Sequence, residues 1–279
     1  MNYPLRMTPI AIAMFATIAP CSAQTAQTVA ESGQNLPSYA AIADRLLASP
    51  VVIDAIVRDA TRLKGADVAS VEPGRIRYYI QADVQSLIRG PAQMPARISY
   101  LVDVPADSRG KPPKLKKARV LLFARTVAGR AGEIQLTSLN GQQFWSEPLE
   151  SRIRGIAREL VAPDAPPAIT GIGNAFHVAG TLPGEGETQI FLTTADQRPV
   201  SLNVLRRPGE QPRWAVALSE ILDEAAAPPA RDTLLWYRLA CGLPQSLPDR
   251  TLASLADADA TIARQDYAFV LRALGPCTR

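Results

Sequence analysis

Between Arg75 and Arg89 the chain reads RIRYYIQADVQSLIR and alternates with a period of two from Ile76 to Gln85. Ile76, Tyr78, Ile80, Ala82 and Val84 alternate with Arg77, Tyr79, Gln81, Asp83 and Gln85. Successive side chains of an extended strand point to opposite faces, so this segment is dry on one side and wet on the other. Such a strand cannot satisfy its own backbone N–H and C=O groups. It commits the chain to a sheet, and other segments must supply the neighbours.

Several segments qualify. ARISYLVDV repeats the alternation with Ile98, Tyr100, Val102 and Val104. ARVLLFAR is a continuous apolar run, the pattern of a strand covered on both faces. VVIDAIV, from Val51, is rich in β-branched residues and reads as a strand, while EIQLTS and GQQFW read as a final pair about a turn at Gly141. Short, evenly spaced strands separated by Gly and Pro turns close into a small antiparallel barrel or a curled sheet. An oligonucleotide-binding-type barrel is one candidate topology, and that analogy carries no function with it. SYAAIADRLLAS in front reads as a short helix ended by Ser49 and Pro50. Behind the strands, SEPLESRIRGIAREL offers Ser146 as N-cap, Pro148 in the first turn, and Leu149, Ile153, Ile156, Ala157 and Leu160 along one face.

Residues 1–23 stand apart. Arg6 precedes the largely apolar AIAMFATIA, and Cys21 and Ala23 occupy the small-residue positions that a signal peptidase reads. The apolar run is well short of the roughly 18 residues that a membrane-spanning helix needs. The segment therefore reads as a secretory signal peptide cleaved near Ala23. The competing reading, lipidation of Cys21, fits poorly with Pro20 directly before it. The expected mature protein is soluble and periplasmic or secreted, with no membrane span. Export leaves Cys241 and Cys277 as a pair in an oxidising compartment, each near the end of a helical pattern, so a disulfide is expected. No C-x-x-C spacing supports a redox role.

The second half begins after VAPDAPPAI, too rich in proline for regular structure and read as a linker over 161–168. The resulting division is a helical leader over 24–48, a β-barrel-like domain with trailing helix over 49–160, and a β-meander with a disulfide-stapled helical pair over 169–279. Residues 171–191, GIGNAFHVAGTLPGEGETQIF, hold the only histidine of the chain. Phe176 stands where a dinucleotide fingerprint needs Gly or Ala, and the Lys-Ser/Thr of a phosphate loop is missing. There is no H-E-x-x-H and no G-x-S-x-G. SRGK, from Ser108, matches S-x-x-K literally, but Pro112 and Pro113 follow and forbid the helix that motif requires. AFHVA and TQIFLTT around GTLPGEGE instead read as a β-hairpin. The alternation groups Phe176 with Val178 and sets His177 on the other, more open side with Ala175 and Ala179. His177, Glu185 and Glu187 stand as the weaker, catalytic alternative. PVSLNVLRRPGEQPRWAVALSEI adds two strands across a turn with Pro208, Gly209 and Pro212, giving a four-stranded meander.

The C-terminal part is helical. Asp232 is a candidate cap for TLLWYRLAC, whose Leu234, Leu235, Trp236 and Leu239 should be buried, and the last helix carries Ala263, Tyr267, Val270, Leu271 and Leu274 on one stripe.

Charge is unevenly spread. Twelve Lys and Arg face three Asp between Arg75 and Arg130, whereas residues 219–259 carry seven acids against three arginines. Arg109, Lys111, Lys114, Lys116, Lys117 and Arg119 crowd one loop, RGKPPKLKKAR, the candidate site for a polyanion. The plain alternative is a solvated edge that keeps the sheet from pairing with other chains. With every short catalytic pattern missing, the expectation is a non-enzymatic envelope binding or assembly module. It would engage an anionic envelope component or a protein partner, without cofactor or metal and without nucleic acid. The alternative is a hydrolase of cell-wall or glycan material using carboxylates such as Glu185 and Glu187, which would have to face each other in a cleft about 5 to 10 Å apart.

Overall fold

The alternating segment forms β2 (Arg75–Arg89), the longest strand of the computed structural model, which describes residues 36–219 and 226–279. Residues 1–23, read above as a signal peptide, and the first part of the leader lie outside those residues. Antiparallel neighbours flank β2: β1 (Val51–Arg62) on one side and β3 (Arg97–Pro105) on the other, with β4 (Arg119–Thr126) on the far side of β1. β1 runs in unbroken register with β4 but shifts register three times against β2. Such bulges bend a strand and increase its twist, and the sheet curls. Inside the curl lie Ile53, Ala55, Val57, Ile80, Ala82, Ile98 and Tyr100. β4 has no polar interior because both faces are covered: Val120, Leu122 and Ala124 point into the curl, Leu121 and Phe123 toward the helices.

Two details differ from the sequence reading. β5 (Ile134–Leu136) and β6 (Gln142–Phe144) do not pair with each other; both lie end to end along the open edge of β4. At their join the Phe123 N–H donates to Gly141 O at 2.7 Å and Phe123 O accepts from Thr137 N at 3.0 Å. A Cβ on Gly141 would lie 2.9 Å from the carbonyl oxygens of Phe123 and Ser138, so this glycine serves close approach and not a hairpin turn. Of the two closures expected, the curled sheet is the one formed. Its edges come together at a single parallel bridge, Ser99 of β3 with Glu133 just before β5, where Ser99 N–H donates to Gly132 O at 2.9 Å.

The second sheet is the expected meander: β7 (Ile169–Ala179), β8 (Gly186–Thr194), β9 (Val200–Arg206) and β10 (Arg213–Ala217) in sequence order. Helices α1 (Tyr39–Ala48), α2 (Glu147–Val161), α3 (Leu234–Gly242) and α4 (Asp257–Leu274) share one buried cluster with both sheets, in which Val52 and Phe123 join Ile153, Ile190, Leu202, Trp236 and Tyr267. The protein is thus β-dominant α+β. None of the helices described is long and apolar enough to cross a membrane. Thr233, not Asp232, caps α3: its side chain accepts from Trp236 N at 3.3 Å, while Asp232 takes a left-handed conformation with φ 59° one residue earlier. Leu235 is only partly buried. Cys241 and Cys277 form the expected disulfide, with Cα atoms 5.2 Å apart. Beside it the Trp236 indole donates to Leu274 O at 2.9 Å, joining α3 to the end of α4.

Candidate functional site

The basic loop joins β3 to β4. Its backbone is shaped by Asp107, whose Oδ1 accepts from the N–H groups of Arg109 and Lys111 at 2.9 and 2.8 Å, and by Lys117, which holds φ 68° while its N–H donates to Val57 O. Arg109, Lys111, Lys114 and Lys117 are exposed and form no ion pair among the described residues, and Lys116 reaches Asp59 at 3.5 Å in the open. Arg119 does not belong with them. Its Nε and Nη2 bind the two oxygens of buried Asp54 at 2.9 and 2.7 Å, Nη2 also reaches Glu150 at 3.2 Å, and the guanidinium lies 4.0 Å from the Trp145 ring centroid. Its charge is consumed holding β1, β4 and α2 together, which removes it from any ligand-binding set. The Trp145 indole N–H on Glu150, seconded by Arg154 and Arg119, holds that carboxyl below its ordinary range against the effect of burial.

A second feature lies along the seam that the loop leaves. β3 and β5 touch at Ser99 and then diverge, opening a groove of about 550 Å³. Leu101 and Asp103 line it from the outer face of β3, Tyr100 and Val102 from the inner face, and Gln135 and Leu136 from β5. Because residues of both faces line it, the groove is the unsealed seam of the curl. Ser99 turns its N–H away from β2, and antiparallel pairing alternates, so the N–H groups of Leu101 and Asp103 also point outward into the groove. Tyr79, Leu101 and Leu139 expose 37%, 50% and 47% of their surface around it. The charges on its walls are already matched: Arg77 makes a two-pronged pair with Asp103 at 2.7 and 2.8 Å, and Arg130 pairs with Glu133 at 3.0 Å.

The third feature overturns the reading of the histidine. His177 faces inward and is only 7% exposed, whereas Phe176 and Val178 are 42% and 68% exposed. The alternation does group Phe176 with Val178, but the dry side of β7 is the one that carries Ala175 and His177. α4 covers the other side, and Phe176 instead stacks edge to face on Phe191 at 5.9 Å on the outer surface. His177 also has a partner. It stands opposite Thr188, whose Oγ1 lies 2.8 Å from Nδ1; Thr188 donates to Asp266 of α4 at 2.5 Å, and Arg206 of β9 donates to the same carboxylate at 2.7 Å. The ring forms one wall of a pocket of about 370 Å³ beneath the hairpin loop, shared with Glu185, Arg206, Ile262 and Gln265. Glu187 is not there. It sits exposed on the outer face between Val178 and Leu205, so Glu185 and Glu187 do not confront each other across a cleft.

Thr188, Arg206, Asp266 and the seam residues escaped the sequence reading. Asp266 left a signal: it follows Ala263 by three residues and so falls on the apolar stripe of its helix, where an acid demands a buried partner. The seam left none, since the ends of β3 and β5 diverge through tertiary curvature alone. No protein-family model matches the chain, and no curated protein matches it.

Proposed function

We propose that this chain is an exported binding module, periplasmic or secreted after loss of its signal peptide, that takes an extended acidic segment of an envelope protein by strand addition at the β3–β5 seam. The observation that carries the reading is the open seam, where outward N–H groups of β3 stand beside a groove with apolar walls and internally matched charges. Unpaired strand edges recruit extended peptides through main-chain hydrogen bonds, and flanking side chains select the sequence. β3 runs directly into the basic loop, whose Arg109, Lys111, Lys114 and Lys117 supply the charge preference for an acidic partner. The disulfide is consistent with export, since such bonds persist in oxidising compartments.

The test is fluorescence anisotropy with a labelled peptide of alternating Val and Glu, the same peptide N-methylated at alternate residues, and a Val-Lys counterpart. The acidic peptide binds, more weakly as salt rises, and the other two do not. Leu101→Pro removes an outward donor while leaving the β2–β3 ladder intact, and weakens binding roughly tenfold at unchanged melting temperature. Changing Lys111, Lys114 and Lys117 together to Gln flattens the salt dependence. Equal binding of the methylated peptide, or sedimentation with phosphatidylserine vesicles in place of any peptide binding, would sink the strand-addition reading.

A further inference from the structure

The hydrogen-bond chain beneath the hairpin runs in one direction. Asp266 is fully buried and salt-bridged to Arg206, so it offers only lone pairs, and the single hydroxyl proton of Thr188 must go to its Oδ2. The Thr188 oxygen is then the acceptor in its contact with His177, and Nδ1 carries the proton. In a neutral imidazole with Nδ1 protonated, Nε2 is a bare acceptor. It has no hydrogen-bond partner among the described residues, although the ring is more than nine-tenths buried and lines the pocket. Glu185 provides a second acceptor. Its Oε2 is held by the N–H groups of Thr181 and Leu182 at 3.1 and 3.2 Å, which leaves Oε1 without a partner among the described residues.

Two glycines hold this pair in place. A Cβ on Gly186 would lie 2.8 Å from Cε1 and 3.0 Å from Nε2 of His177, and one on Gly180 would overlap the Glu185 carboxylate. Arg206 and Asp266 cancel, so the unbalanced charge in the pocket is that of Glu185.

We propose that this pocket seats a primary ammonium group, with His177 Nε2 and Glu185 Oε1 as its acceptors and Ile262 and Leu182 against the carbon frame that carries it. An ammonium brings three donors and a positive charge, matching both the acceptors and the net sign of the site. A hydroxyl would satisfy the acceptors but leave the carboxylate charge uncompensated. The same chemistry is offered by a peptide N-terminus and by an amino sugar.

The single histidine makes the site directly observable, because all imidazole resonances belong to His177. Nitrogen-detected NMR of the neutral ring shows the Nδ1–H tautomer; an Nε2–H tautomer would overturn the proposal. Titration then uses two matched pairs, alaninamide against N-acetylalaninamide and glucosamine against N-acetylglucosamine. At least one free amine shifts the His177 signals saturably and its acetylated mate does not, and which amine binds identifies the source. Glu185→Gln weakens that binding roughly tenfold, the loss expected on neutralising one partner of a charged hydrogen bond. Equal shifts from acetylated and free compounds, no shift from any of them, or undiminished binding in Glu185→Gln would each refute it. The tautomer and the paired titrations need no variant, so they stand even if Glu185→Gln folds poorly.

Discussion

Replacing Cys241 and Cys277 together by alanine lowers the melting temperature by roughly 10 °C and leaves the secondary structure in place. The bridge closes a loop between residues 36 apart in sequence. The chain-entropy account puts its contribution at about 4 kcal/mol, through restriction of the unfolded chain. For a folded unit of this size each kcal/mol corresponds to roughly 2–4 °C. The native contacts beside the bridge do not run through it: the Trp236 indole donates to Leu274 O, and Val270, Tyr267 and Leu239 lie in the core. Calorimetry of the double variant, alongside wild type with and without reductant, measures the effect. Thiol titration of the unfolded protein lacking residues 1–23, and with them Cys21, should find no free thiol before reduction. A shift under about 3 °C would show that the unfolded chain already retains enough structure for the bridge to restrict it little further.

Arg206→Met destabilises the protein by about 3 kcal/mol, because it strands the Asp266 carboxylate in the interior without its cation. Asp266 has no exposed surface, whereas the Arg206 side chain keeps 29% of its own, which places the effect at the lower end of what breaking a buried pair costs. The informative comparison is the double variant Arg206→Met, Asp266→Met. Removing both charges takes away the desolvation penalty, and Met packs irregular gaps well, so the double variant should recover most of the lost stability. Urea unfolding of wild type, both single variants and the double variant completes the cycle. A double variant no more stable than Arg206→Met would mean that lost packing of the arginine stem, and not a stranded carboxylate, sets the cost.

The basic loop illustrates how far a linear reading carries. Six cations in eleven residues were visible as a candidate site, yet only tertiary pairing separates Arg119, whose partner Asp54 lies 65 residues away, from the exposed cations of the same loop. The same holds for β5 and β6. Each reads as a strand from its own residues, but pairing with each other or with β4 depends on which edge remains open once β1 has taken the other side of β4.

What the sequence determined by itself rests on short-range physics. The period of two in Ile76–Gln85 and Arg97–Pro105 declared strands and their dry faces, because a strand exposes alternate residues wherever it lies. The VLLFA run announced a strand covered on both sides, and two cysteines at helix ends announced their bond. Tertiary structure alone decided the inside of β7, because Phe176 and His177 are both tolerable in a core and α4, whose Asp266 lies 78 residues beyond Thr188, had to choose which side to cover. It also decided that the curled sheet stays open at the β3–β5 seam. Closure depends on the summed twist of every strand, a quantity that no single segment encodes.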